Sequence, residues 1–180
     1  RCLTMRIRRT AIWSATRWSR VTTQSATYSS RPCRVSVPSP RSAVTVAGTF
    51  DLANFSDTVG SLAGAGAVSL GSGTLTAGGD NTNTAYSGVM SGTGGLTKAG
   101  TGAMTLGGAN TYTGATNVSA GTLALGAAAR IADASALTVT GGATFDLANF
   151  AETVGSLAGA GSVTLGSATL SAGGDNTSTA

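Results

Sequence analysis

Few groups in this 180-residue chain could do chemistry, and histidine is not among them. The usual general base and metal ligand is therefore missing, and no Ser-His-Asp or Cys-His set can be assembled. The strongest remaining candidates are carboxylates. Asp51 and Asp57, matched further along by Asp146 and Glu152, could pair for acid–base work. Their recurrence fits turn and strand-edge roles better. Lys98 and Tyr112 could contact a ligand, but each is expected to serve structure instead.

Glycine-rich segments lead to the same reading. Gly78-Gly79-Asp80-Asn81 and Gly173-Gly174-Asp175-Asn176 resemble the calcium-binding GGxGxD nonapeptide. They lack its next glycine and aspartate and its tandem spacing, so plain turns are expected. The glycines between Gly92 and Gly102 form no GxGxxG or GxxxxGK and precede no helical pattern, so no nucleotide site follows. No run of 18 apolar residues occurs. The sequence thus assigns no catalytic residue, no cofactor and no metal ligand, and the expectation is a protein that is not an enzyme.

The elements that carry these residues are short and repetitive. Thr49 to Thr82 recur as Thr144 to Thr177, offset by 95 residues. The six differences are Ser56 for Ala151, Asp57 for Glu152, Ala67 for Ser162, Ser69 for Thr164, Gly73 for Ala168 and Thr76 for Ser171. Apolar residues alternate with small polar ones at Phe50/Leu52, Val68/Leu70, Met104/Leu106, Leu123/Leu125, Leu137/Val139, Phe145/Leu147 and Val163/Leu165. A period of two is the mark of half-buried strands. Gly107-Gly108, Gly114 and Gly141-Gly142 break them with tight turns. No helical stripe is present; Ala127–Ala132 offers one turn at most.

Charge divides the chain. Residues 1–41 hold nine of the eleven basic residues, no acid, no glycine, both cysteines, both tryptophans and all three prolines. From Ser42 onward Lys98 and Arg130 face seven carboxylates, so the formal +4 sums a +9 segment and a −5 body. A basic arm with Trp13, Trp18 and Tyr28 could attract phosphate, but the expectation is no nucleic-acid partner. The segment also lacks the apolar stretch of a secretory signal. Residues 1–41 are read as disordered or as an out-of-frame, non-native segment. Cys2 and Cys33 both fall within it and license no disulfide framework.

Short strands and tight turns fit either an antiparallel sandwich or a β-helix. The 95-residue repeat and the scarcity of large side chains favour the second, because small residues and single Leu or Val positions fill a narrow coil. At about 20–24 residues per coil, the body (residues 42–180) holds roughly six coils. Matching strands of the two copies (residues 43–85 and 136–180) are expected to stack on one another. The second copy stops at Ala180, the counterpart of Ala85, so the chain reads as a fragment of a longer solenoid.

Between the copies, residues 94–123 read GGLTKAGTGAMTLGGANTYTGATNVSAGTL. This segment resembles the passenger-associated repeat of bacterial autotransporters, GxLTKxGxGxLxLxGxNTYTGxTxVxxGTL. Leu96-Thr97-Lys98, Gly100, Gly102, Leu106, Asn110-Thr111-Tyr112-Thr113-Gly114, Val118 and Gly121-Thr122-Leu123 stand in the family positions, and Met104 replaces a leucine. The resemblance implies an all-β, right-handed parallel β-helix. It also implies an autotransporter passenger, partnered by a translocator β-barrel and displayed at the surface of a Gram-negative cell, with the repeat aiding secretion and folding. Within such a coil Asn110 is a candidate for an asparagine ladder, and Tyr112 for a corner with its ring packed and its hydroxyl wet. The favoured reading is a non-catalytic stalk, in some passengers an adhesin. The alternatives are a β-helix enzyme (a polysaccharide lyase or hydrolase) and a threonine-rich ice- or surface-binding solenoid. Thr111/Thr113 and Thr138/Thr140 hint at the latter, without a long TxT array.

Overall fold

The computed structural model describes residues 42–174. The assignments made above for residues 1–41, and for Asp175 and Asn176, fall outside them. The described residues form eighteen β-strands and no helix, and every pairing is parallel. The fold is a parallel β-solenoid of about six turns.

Each turn visits three faces. β1 (Ala43–Val46) opens the first face, β2 (Thr49–Asp51) the second and β3 (Asp57–Val59) the third. The first face grows to seven strands and the third to six. The second face is split. β2, β5 (Ala67–Gly71) and β8 (Met90–Gly92) pair at one end, and β15 (Glu152–Val154) pairs with β18 (Leu170–Ala172) at the other. Residues 107–115 and 126–135 lie between these two sheets without strand pairing.

The coils are not of equal length. On the first face Ala43 lies beside Ser61, whereas Thr122 lies beside Thr144, so the later coil takes up more chain than the earlier one. Six steps of ~4.8 Å along the first face give a stack roughly 29 Å long.

Parallel register lines like side chains up inside. On the first face Met104, Leu123, Phe145 and Val163 form one inward column, and Tyr86, Leu106 and Leu125 another. On the third face the columns are Leu75, Leu96, Thr116, Leu137, Leu157 and Val59, Ala77, Lys98, Val118, Val139. Leu62, Leu75, Leu96, Leu106 and Leu123 are wholly buried, each worth about 1.5–3 kcal/mol of transfer free energy. Such columns explain why strands of three to five residues, each marginal alone, persist.

The corners need glycine where coils approach closely. A Cβ on Gly108 would collide with the carbonyl oxygen of Gly88, and one on Gly88 with that of Gly66. These three glycines stack at one corner in successive coils.

The expectation that copies stack strand on matching strand is corrected here. Thr49 begins β2 on the second face, whereas Thr144 begins β14 (Thr144–Asp146) on the first. The local pairing is kept, since Thr49 faces Ala67 and Thr144 faces Ser162, the equivalent residue of its own copy. What differs is the face. The offset of 95 is not a whole number of turns; it is four turns and two faces of a fifth. The second copy therefore repeats the first rotated by one face.

Candidate functional site

The segment around Lys98, Asn110 and Tyr112 contains the polar residues that the interior columns would not be expected to hold. Lys98 sits in β9 (Leu96–Lys98) at an inward position between Ala77 and Val118. It is 1% exposed. Its Nζ reaches the corner and donates to the carbonyls of Ala99 (2.6 Å), Gly100 (2.9 Å) and Ala120 (3.2 Å). Burial pulls its pKa below the ordinary lysine value, opposed by the negative charge of Asp80. An ammonium spent on three backbone acceptors in two coils is a corner brace, not a free ligand contact.

Tyr112 is fully buried, which corrects the expectation of a wet hydroxyl. Its Oη lies 2.6 Å from Thr116 Oγ1, which lies 3.2 Å from Ser135 Oγ. Ser135 donates in turn to the carbonyl of Gly114 (2.7 Å). In the non-strand stretch 107–115 the ring fills the interior, and a hydroxyl buried there must find partners within it. Burial pushes the phenol up to about 12, partly offset by the Thr116 hydrogen bond and reinforced by the charge of Glu152.

Asn110 does not form a ladder with other asparagines, because the adjacent coils carry Met90 and Arg130 at its level. Its Oδ1 accepts from the Met90 amide (2.8 Å), and its Nδ2 donates to the Arg130 carbonyl (2.7 Å). Glu152 Oε2 accepts from the amides of Arg130 (2.7 Å) and Ile131 (3.3 Å). Burial raises the Glu152 pKa; these backbone amides oppose the rise and Asp133 adds to it.

The other carboxylates are tied to nearby backbone. Asp51 and Asp146 accept from Ala53 and Ala148, each at 2.9 Å, closing turns in which Ala53, Asn54, Ala148 and Asn149 all have positive φ. Asp57 accepts from Thr58 (2.7 Å). In Gly78-Gly79-Asp80-Asn81, Asp80 accepts from the Thr82 amide and hydroxyl. Burial tends to raise its pKa, but hydrogen bonds from Ser61 and Thr82 outweigh that and hold it low. Among the described residues no three acidic or cysteine side chains gather as a metal site.

Sequence reasoning does not find the asparagines that fasten coil to coil. Asn54, Asn81, Asn83 and Asn149 accept from the amides of Ser72, Thr101, Ala103 and Ser167, each one coil onward. The usable signal is an asparagine at each turn, one coil length before a Ser, Thr or Ala. Nor does it find the outward column of Thr58, Thr76, Thr97, Asn117 and Thr138 on the third face. Unequal coil lengths hide this column in the linear sequence.

Residues 96–125 match the passenger-associated-transport-repeat family. The chain carries this repeat. The match and the parallel solenoid fit an autotransporter passenger, and the repeat family implies a surface or secreted location in Gram-negative bacteria. Comparison with curated proteins and with solved structures gave no match. The transport repeat contributes consecutive strands to the stack: β9, β10 (Ala103–Leu106), β11 (Thr116–Val118) and β12 (Thr122–Leu125) all lie within it.

Proposed function

We propose that this chain is a non-catalytic structural segment of an autotransporter passenger, a stalk displayed at the outer surface and delivered by a translocator β-barrel. One observation carries the reading: Lys98 and Asn110 of the transport repeat turn inward, and their side chains are spent on backbone groups of their own and neighbouring coils. Residues used this way stabilise a rod. The repeat then aids secretion because it links the coils on either side into one stack, so folded coils outside the cell hold what has already crossed. Adhesion belongs to the same proposal, through the outer faces.

The ice-binding alternative is weaker. The outward threonines form a single file broken by Asn117, and the adjacent positions are Gly78, Ala99, Ser119 and Thr140, not a second hydroxyl column.

The test places the full chain between a signal sequence and a translocator barrel. Surface exposure, read by protease shaving of intact cells, is expected. Deleting residues 94–123 is expected to reduce it strongly. Undiminished display after the deletion, or hydrolytic activity of the purified chain on polysaccharides, overturns the reading.

A further inference from the structure

Each copy of the repeat places at a corner an aromatic ring that the packing does not use. Thr49–Phe55 and Thr144–Phe150 both read TFDLANF, and the exchanges between the copies begin at the next residue, Ser56 against Ala151. The Phe55 amide donates to Leu52 O (2.9 Å) and the Phe150 amide to Leu147 O (2.7 Å). Between them Ala53 and Asn54 have φ of 49° and 70°, Ala148 and Asn149 of 47° and 69°. This is a type I′ turn, and it holds a strained alanine where glycine would relax it. The first turn joins β2 to β3, second face to third; the other joins β14 to β15, first face to second. One geometry at two unlike corners belongs to the turn itself. Leu52 and Leu147 are buried in the core, but Phe55 and Phe150 are 58% and 37% exposed. Phe150 has a coil on either side, with β12 and β13 (Ala136–Val139) before it and β16 (Ser156–Ala158) and β17 (Ser162–Thr164) after it. Its exposure is therefore built in.

We propose that each of these turns is a subsite for a sugar ring, a hexopyranose of the glucose type with its hydroxyls equatorial, and that the chain carries two. This deepens the adhesion part of the proposal above and rests on it. The polar groups of the turn select the ligand class. Asp51 and Asp146 spend Oδ1 on the amides of Ala53 and Ala148, and Asn54 and Asn149 spend Oδ1 on the amides of Ser72 and Ser167. Among the described residues, the other carboxylate oxygen of each Asp and the amide nitrogen of each Asn make no hydrogen bond. Each turn thus offers an acceptor, a donor and an aromatic face, and its ends lie under about 7 Å apart. A cationic ligand would leave the amide donor idle, and an anion would be repelled by the aspartate. A purely apolar ligand would strand both polar groups. A pyranose uses all three, its C–H face on the ring and its vicinal hydroxyls on the acceptor and donor. The turn is fixed before the sugar arrives, so binding costs little ordering. The subsites lie roughly 22 Å apart along the axis, at ~4.8 Å per turn, and on different corners, so they act independently.

Cellotetraose is titrated into the isotope-labelled full chain, and backbone amide shifts are followed by NMR. Two sets of shifts are expected, one at residues 51–56 with Ser72 and one at residues 146–151 with Ser167, each saturating in the millimolar range. Phe55→Ser is expected to weaken the first set about tenfold and leave the second unchanged, and Phe150→Ser to do the reverse. Both side chains are exposed, and the set retained in each variant reports that the chain is still folded. Undiminished first-set shifts in Phe55→Ser, equal shifts with tetralysine in place of the sugar, shifts confined to other residues, or none at tens of millimolar cellotetraose overturns the proposal. Display on cells is read separately, so a chain that reaches the surface but gives no such shifts fails here alone.

Discussion

Asn110 and Glu152 hold the same residue from opposite sides. The Asn110 amide donates to the Arg130 carbonyl at 2.7 Å, while the Glu152 carboxylate accepts from the Arg130 amide at 2.7 Å. With the Met90 amide bound to Asn110 Oδ1, a connection runs through four successive coils where the second face has no strand ladder. Side chains here add to the few backbone bonds between these coils, such as those from the Thr111 amide to Met90 O and from the Thr113 amide to Gly92 O. A buried backbone group left without a partner is costly, so these two residues let the face lose its strands without losing its satisfaction.

Replacing Asn110 with Ala strands the Met90 amide and the Arg130 carbonyl. The expected loss is about 1–3 kcal/mol of unfolding free energy, measured by urea denaturation. The Met90 amide should also exchange faster while amides of the first face keep their protection. Loss of protection spread evenly over all faces would contradict a local role.

Glu152 should make stability depend on pH in a defined direction. Its pKa in the folded chain is raised above the ordinary glutamate value of 4.5, mainly by burial. Between 4.5 and the raised value the folded state binds more protons than the unfolded state. Stability should therefore increase as pH falls through that window and level off below it. Asp57 is also raised by burial, and Asp80 is lowered, so the readout is the difference between wild type and Glu152→Gln. The wild type is expected to gain on the variant on acidification. A flat difference would show that the carboxyl is solvated in the folded state.

Why the fold is legible in the sequence and the bracing is not comes down to range. Alternation at Met104/Leu106 or Leu123/Leu125 is a property of one strand, visible in a few letters. The face on which Thr144 lands depends on the lengths of every coil before it, and these differ from coil to coil. The same variation hides the threonine column. Tyr112 reads as a corner residue and Asn110 as a ladder asparagine, but Ser135, which the Tyr112-bonded Thr116 hydroxyl reaches, and the Asn110 partners Met90 and Arg130 each lie about a coil away and give no local signal. Lys98 reads as structural, yet nothing local shows that its carbonyl partners include Ala120 from the next coil. The exchange of Asp57 for Glu152 reads as a minor swap, and nothing local shows that Glu152 accepts from the Arg130 and Ile131 amides a coil away.

The two body tyrosines offer an alkaline counterpart. Tyr86 and Tyr112 are each pushed up to about 12, mainly by burial. Phenolate absorbance should therefore show neither ionising at the ordinary tyrosine pH of about 10 while the chain stays folded. Both retain protons that the unfolded chain would release, so stability should fall as pH rises from about 10 toward 12. Tyr112→Phe is expected to lessen that fall and to cost about 1 kcal/mol at neutral pH, as Thr116 loses its partner. Full ionisation of all three tyrosines of the chain near pH 10 without unfolding would contradict the buried hydroxyl chain.

Lys98 gives the opposite slope. Burial lowers its pKa below 10.5, so between the lowered value and 10.5 the unfolded chain binds more protons, and stability contributed through this group should rise with pH. Lys98→Met keeps most of the stem volume but leaves the carbonyls of Ala99, Gly100 and Ala120 without their donor. The expected cost is on the order of 2 kcal/mol at neutral pH, with the alkaline rise abolished. Lys98→Arg should not rescue it, because a planar guanidinium cannot direct three donors into the one corner that an ammonium fills. Thermal melts of the three proteins from neutral to alkaline pH decide the matter. If Lys98→Met matched the wild type throughout, the lysine would be surplus to the fold and open to a role at the surface.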